Sequence, residues 1–140
     1  MQSKFEPGAD IAVLLAEYGI HPTRQRMEIA RVLFANPGHL SADGVLALVN
    51  RRRPATSKAT VYNTLNLFRD RGLIREVIAN PNRVFYDPNT TPHHHFYDVD
   101  SGKLTDIDAR DVKISGLPPL PEGMVTEGVD IIVRIRSESV

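Results

Sequence analysis

An α+β fold is expected for this chain: an N-terminal winged helix-turn-helix followed by a small strand-rich dimerisation domain. Three observations predict it. Apolar residues recur at helical spacing in four successive segments up to about Arg71. Two short β-rich runs then flank the turn signal Asn80-Pro81-Asn82-Arg83. After 87–92, Asp-Pro-Asn-Thr-Thr-Pro, the periodicity changes from helical to alternating. The expected boundaries are 1–87 for the winged-helix domain, 88–92 for a hinge, and 93–140 for the second domain.

The first helix is expected over 9–18, with Ile11, Leu14, Leu15 and Tyr18 on one face and Gly19 ending it. Pro22 punctuates the chain and Thr23 caps a second helix carrying Met27, Ile29, Ala30, Leu33 and Phe34. That helix stops near Asn36-Pro37-Gly38. Ser41 caps a third, with Val45, Leu46, Leu48 and Val49 inward, ended by Arg51-Arg52-Arg53-Pro54. Thr56 or Ser57 caps a fourth helix running to about Arg71. Its Val61, Leu65 and Phe68 form a core stripe, and Gly72 closes it. Strand-like runs at 75–79 and 84–86 make the hairpin of a winged helix. Beyond the hinge, 95–99 and 103–107 read as a hairpin around Asp100-Ser101-Gly102. Residues 109–123 read as irregular. The run 125–136 alternates, with Val125, Val129, Ile131, Val133 and Ile135 facing one way.

The chain has 140 residues, of which 41% are hydrophobic. A core can form, but each half alone is small, so oligomerisation would help stability. No apolar run approaches the roughly 20 residues of a membrane helix. The first ten residues lack the basic start and apolar stretch of a signal peptide. Cytoplasmic residence, with no membrane partner, is the expectation. There is no cysteine, which excludes disulfides and thiolate zinc sites and leaves His, Asp, Glu and water as ligands. The net charge of zero hides an asymmetry. Residues 1–88 carry 12 Lys/Arg against 8 Asp/Glu, and residues 89–140 carry 5 against 9. A basic front half suits a nucleic-acid module.

In a helix-turn-helix the second helix enters the major groove and its N-terminal residues reach base edges. Here that end offers Ser57, Lys58, Thr60, Tyr62 and Asn63. Lys58 and Arg69 are suited to phosphates. Arg24 starts the second helix, where amides favour phosphate, and Asn82 and Arg83 stand at the wing tip. The expected partner is double-stranded DNA.

His93-His94-His95 is the sharpest chemical feature. In an extended segment alternate side chains share a face, so His93 and His95 converge while His94 points away. With His39, Asp87 and Asp106 they make a set of three histidines and two aspartates suited to Fe(II), Mn(II) or Zn(II). Haem is the other reading of the triplet His93, His94 and His95, since histidine is a common axial ligand. A hydrolytic metalloenzyme and a haem carrier are the readings from other classes. No H-E-x-x-H, P-loop, G-x-S-x-G or cysteine nucleophile occurs, so no enzyme is expected.

Five motifs, in order along nearly the whole chain, resemble the ferric uptake regulator superfamily. They are Pro22-Thr23-Arg24-Gln25-Arg26, His39-Leu40-Ser41-Ala42-Asp43, Ala59-Thr60-Val61-Tyr62-Asn63-Thr64-Leu65, Gly72-Leu73-Ile74 and His93-His94-His95-Phe96. The resemblance implies a homodimer on an inverted-repeat operator, read by the fourth helix with Tyr62 and Arg24 in contact. The uninterrupted His triplet and the tail from Pro121 to Arg134 are most similar to the iron response regulator branch. That implies control of iron- and haem-related genes in response to haem or a divalent metal. The five ligands also match the regulatory site of the peroxide-sensing branch, which keeps a peroxide-sensing repressor open through iron-catalysed histidine oxidation. Asp98-Val99-Asp100-Ser101 stands where the family's first Cys pair falls, so no structural zinc held by four cysteines is expected. The N-terminal Cys-Pro haem motif is also missing.

Overall fold

The computed structural model describes residues 10–36, 38–52 and 56–138. The expected helix start at Ala9, and the punctuating Pro37, Arg53 and Pro54, lie outside the described residues. The chain divides into two compact units, the first ending at Thr90 and the second beginning at Thr91.

In the first unit, α1 (Ile11–Glu17) starts where the Asp10 carboxylate accepts the Ala12 N–H at 2.8 Å. It ends as the Gly-terminated pattern predicts. Gly19 takes a φ of 70°, and the Ile20 N–H returns to the Leu15 carbonyl at 2.9 Å. A side chain at Gly19 would also meet the Arg71 guanidinium, which donates to the Gly19 carbonyl at 3.0 Å. The second helix, α2 (Arg24–Ala35), is capped by the Thr23 hydroxyl accepting from Arg26 N–H. The third, α3 (Ala42–Arg52), is capped by Ser41, which accepts from Gly44 N–H at 3.1 Å. The fourth, α4 (Lys58–Asp70), is capped by Ser57 rather than Thr56. It closes like α1: Gly72 has a φ of 79° and the Leu73 N–H donates to the Phe68 carbonyl.

One core joins these helices. Val61, Leu65 and Phe68 of α4 are fully buried with Leu15, Ile29, Leu33, Val45 and Val49. This is the inward stripe expected from the 3.6-residue repeat. Strands β1 (Arg75–Asn80) and β2 (Arg83–Asp87) form the antiparallel wing, with an irregularity between Ile78 and Asn80. A single backbone bridge outside the named strands joins Leu40 to Tyr86 among the described residues, with the Tyr86 N–H 2.8 Å from the Leu40 carbonyl. It ties the entry of α3 to the wing. None of the described helices is long and apolar enough to cross a membrane.

The second unit is a three-stranded sheet in the order β4-β3-β5, from β3 (His93–Asp98), β4 (Leu104–Asp108) and β5 (Ile132–Ile135). The hairpin β3–β4 begins at His93, two residues earlier than the periodicity suggests, because His93 pairs with Asp108. Strand β5 runs parallel to β3. The expected long alternating run is thus only partly a strand. Residues 125–130 precede the ladder, whose first hydrogen bond runs from the His95 N–H to the Ile131 carbonyl at 3.1 Å, and Val125 is 90% exposed in the single chain. Alternation marks which side chains share a face; the length of a strand is set by how far a neighbour can supply hydrogen bonds.

Phe68 carries the largest fully buried side chain among the described residues. Phe68→Ala is expected to lower unfolding stability by about 3–5 kcal/mol, from lost transfer energy and the cavity left behind. Urea unfolding followed by helical circular dichroism measures it.

Candidate functional site

The N-terminal turn of α4 presents the expected reading residues to solvent. The Ser57 hydroxyl accepts the Thr60 N–H at 3.1 Å and lies 2.9 Å from the Thr60 hydroxyl. Each therefore has a local partner that fixes its orientation. Tyr62 and Asn63 are exposed, on the face turned away from the buried Val61 and Leu65. The Lys58 ammonium lies 5.7 Å over the Tyr62 ring and 3.5 Å from the Asp43 carboxylate, with both ion-pair side chains well exposed. A surface pair of this kind contributes little and opens readily to another anion. Arg24 and Arg83 are exposed, at the first residue of α2 and at the wing turn.

Arg69, expected to suit a phosphate, is paired with two carboxylates in the first unit. Its guanidinium donates to the Glu76 carboxylate at 2.7 Å and to Asp70 at 3.1 Å. The hydrogen bond to Glu76 leads the causes that raise its pKa. Arg69 therefore braces α4 against the wing strand β1. The sequence could not separate a phosphate cation from a brace, because both need only a basic residue near a helix end.

A cleft of about 260 Å³ opens beside these residues, lined by Ser41, Asp43, Tyr62, Glu76, Arg83 and Tyr86 among others. Sequence reasoning named only Tyr62 and Arg83 of these as functional. Tyr86 was legible as a strand residue, and its place in the cleft follows only from the bridge to Leu40.

The five proposed ligands fall into two sets. In the first unit the His39 Nε2 lies 3.1 Å from an Asp87 carboxylate oxygen, with both side chains buried. The other Asp87 oxygen accepts the Asn89 N–H at 2.9 Å, which holds the carboxylate in orientation. In the second unit His93, His95 and Asp106 converge. Asp106 is the direct cross-strand partner of His95, so their side chains share a face. The Nε2 atoms of His93 and His95 lie 3.6 and 3.4 Å from one Asp106 oxygen. The two rings sit edge to face with centroids 4.5 Å apart.

The tautomer of His93 follows from its other nitrogen. Nδ1 lies 2.6 Å from the Thr91 carbonyl oxygen. A carbonyl only accepts, so Nδ1 carries the proton, and in the neutral ring Nε2 then holds the lone pair. A ring N–H anchored on a backbone carbonyl is how ligand histidines are commonly oriented. Asp108, the cross-strand partner of His93, is paired with Arg110. Hydrogen bonds from the Arg110 side chain hold its carboxyl pKa down to about 2. His94 points off this face, as expected, and its Nδ1 accepts the Ile131 N–H at 3.1 Å. It helps secure the chain entering β5.

A family model described as the ferric uptake regulator family matches residues 17–117. The chain belongs to that family. Members of the ferric uptake regulator family are transcription regulators rather than enzymes. The peroxide-responsive repressor PerR of Staphylococcus epidermidis is 33% identical over 93 residues, which cover 66% of this chain and 62% of that protein. The PerR of Staphylococcus aureus is 34% identical over a stretch of the same length, 63% of its own. The match thus spans less than two thirds of these relatives. Among solved structures, the manganese-containing ferric uptake regulator of Pseudomonas aeruginosa superposes with a TM-score of 0.70 at 20% identity, covering 94% of this chain and all of that one. The Campylobacter jejuni peroxide stress regulator gives 0.64 at 21% identity, covering 94% of this chain and 98% of its own. At these identities the likeness is one of fold.

Ser57→Ala removes the α4 cap and is expected to cost about 1 kcal/mol of stability. The shift in urea midpoint at unchanged slope is the readout.

Proposed function

We propose that this chain is a sequence-specific, DNA-binding transcriptional regulator whose DNA affinity depends on a divalent cation held by His39, Asp87, His93, His95 and Asp106. The observation that carries the metal half is the Nδ1–H of His93 anchored on the Thr91 carbonyl, with the Nε2 atoms of His93 and His95 both close to Asp106. Imidazole nitrogens and carboxylates without sulfur suit Fe(II), Mn(II) or Zn(II). The ion would supply a charge and a preferred geometry to which all five donors answer. His39 and Asp87 are held by the residues flanking the Leu40–Tyr86 bridge, and His93, His95 and Asp106 by the β3–β4 ladder. Ligation by both sets would restrain the 88–92 connector, and so bias which arrangement of reading helices is populated.

Haem has less support. His94 spends its Nδ1 on the Ile131 backbone, and His95 is only 1% exposed with its Nε2 turned to a carboxylate. Control of iron- and haem-related genes rests on the resemblance of the triplet and tail.

The DNA half is supported by the exposed Ser57, Lys58, Tyr62 and Asn63 and the half-buried Thr60 at the start of α4, flanked by Arg24 and Arg83. We place the working form as a homodimer on an inverted-repeat operator, in the cytoplasm. Ile114, Leu117, Leu120, Met124 and Val125 are exposed in the single chain, as are Phe96, Val99, Val129, Val133 and Ile135.

A peroxide-sensing repressor is the second reading, favoured by the 33% identity to proteins named peroxide-responsive repressors. Under it, Fe(II)-loaded protein exposed to hydrogen peroxide gains one oxygen atom on His93 or His95, read by peptide mass spectrometry. An unmodified histidine pair with metal bound overturns it.

Three measurements test the main reading. His93→Ala combined with His95→Ala is expected to weaken Mn(II) binding at least tenfold with the helical melting curve retained; unchanged Mn(II) affinity removes the site. Tyr62→Ala is expected to weaken binding to a duplex selected from a random pool by about tenfold at fixed salt, the loss of about 1.4 kcal/mol. Equal affinity of the native chain for selected and unselected duplex would overturn the regulator reading.

A further inference from the structure

We propose that Tyr86 is the positioning residue that links the His39–Asp87 pair to the reading surface around Tyr62. This rests on the metal site proposed above and names how its occupancy reaches the DNA face within the first unit.

Three observations meet at this one side chain. First, Tyr86 immediately precedes Asp87, and its N–H donates to the carbonyl of Leu40, which immediately follows His39. The backbone bridge and the 3.1 Å contact between the His39 and Asp87 side chains are therefore consecutive rungs between the same two segments. A change in the separation of the ligand pair is felt at the bridge first. Second, the Tyr86 ring is 4% exposed and belongs to the helical core, yet it also walls the cleft shared by Tyr62, Asp43 and Arg83. These three belong respectively to α4, the first turn of α3 and the wing turn. Third, the cross-strand partner of Tyr86 is Glu76, which holds Arg69 of α4 at 2.7 Å. Tyr86 thus stands between the ligand-bearing backbone and two separate fixings of α4.

Packed interiors transmit displacement because they have little free volume. A planar ring set between the ligand strand and the cleft would shift Tyr62 and the wing together when His39 and Asp87 adjust to an ion. A flexible side chain of comparable bulk would absorb the shift instead. The consequence is specific. Replacing the ring should leave ligation at His39 and Asp87 intact while disconnecting it from Tyr62. By linkage, such a disconnection also removes any effect of DNA on metal affinity that runs through this residue.

The test uses the full chain and Zn(II), a diamagnetic probe, with backbone amide resonances followed by NMR. In the native chain Zn(II) is expected to shift the amides of His39, Leu40 and Asp87, and also those of Tyr62 and Arg83. In Tyr86→Met the shifts at His39 and Asp87 persist, while that at Tyr62 falls at least threefold. Tyr86→Phe, which keeps the ring, retains the native shift at Tyr62. Three results overturn the inference while leaving the metal site standing. One is ligand shifts without a Tyr62 shift in the native chain. Another is an undiminished Tyr62 shift in Tyr86→Met. The third is loss in Tyr86→Phe equal to that in Tyr86→Met. If Tyr86→Met fails to fold, the native and Tyr86→Phe spectra decide. Absence of any Zn(II) shift at His39 and Asp87 in the native chain instead overturns the site itself, and this inference with it.

Discussion

The hydrogen bond from the Tyr86 amide to the Leu40 carbonyl joins two parts of the first unit that are 46 residues apart in the chain. It is short and sits beside a buried ring, where an unmade backbone bond would cost the full desolvation of both groups. On one side of it the His39 and Asp87 side chains meet. On the other, Ser41 caps α3 and so sets the direction of the helix that precedes α4. The cleft, the proposed ligand pair and the placement of the wing all depend on this rung.

The helix that bears the proposed reading residues is held from two directions. Its inner stripe of Val61, Leu65 and Phe68 fixes rotation about the helix axis, since any roll would lift these side chains from the core. Its C-terminal end is tied by Arg69 to Glu76 on β1. Dispersion and burial supply most of the hold, because Arg69 is partly exposed and an ion pair of that kind contributes modestly. What the pair adds is direction, joining helix to wing. Of the residues proposed to read DNA, Lys58, Tyr62 and Asn63 are exposed, whereas Ser57 also caps the helix they ride on.

The second unit solves a different problem with the same economy. A strand presents alternate side chains to one face, and the antiparallel register sets Asp106 opposite His95 and one step from His93. Three donor side chains converge with no helix involved. The neighbouring Asp108 is hydrogen-bonded by the Arg110 side chain, which holds its carboxyl pKa down to about 2. Burial of His93 and His95 raises the cost of leaving their nitrogens poorly oriented, and the Thr91 carbonyl settles the proton on His93.

Much of this was legible in the residues alone. The four helices, their Thr23, Ser41 and Ser57 caps and their glycine stops at Gly19 and Gly72 follow from local chemistry. Local chemistry acts within a few residues, and so it is written contiguously. The shared face of His93 and His95 follows from the two-residue repeat of a strand for the same reason. Tertiary structure decided what depends on partners distant in the chain. It set Arg69 against Glu76, began β3 at His93 because Asp108 was there to pair, and confined β5 to four residues beside β3. It also put Tyr86 in the cleft, since a strand residue's neighbours across the fold are fixed by register and packing and by nothing in its own segment.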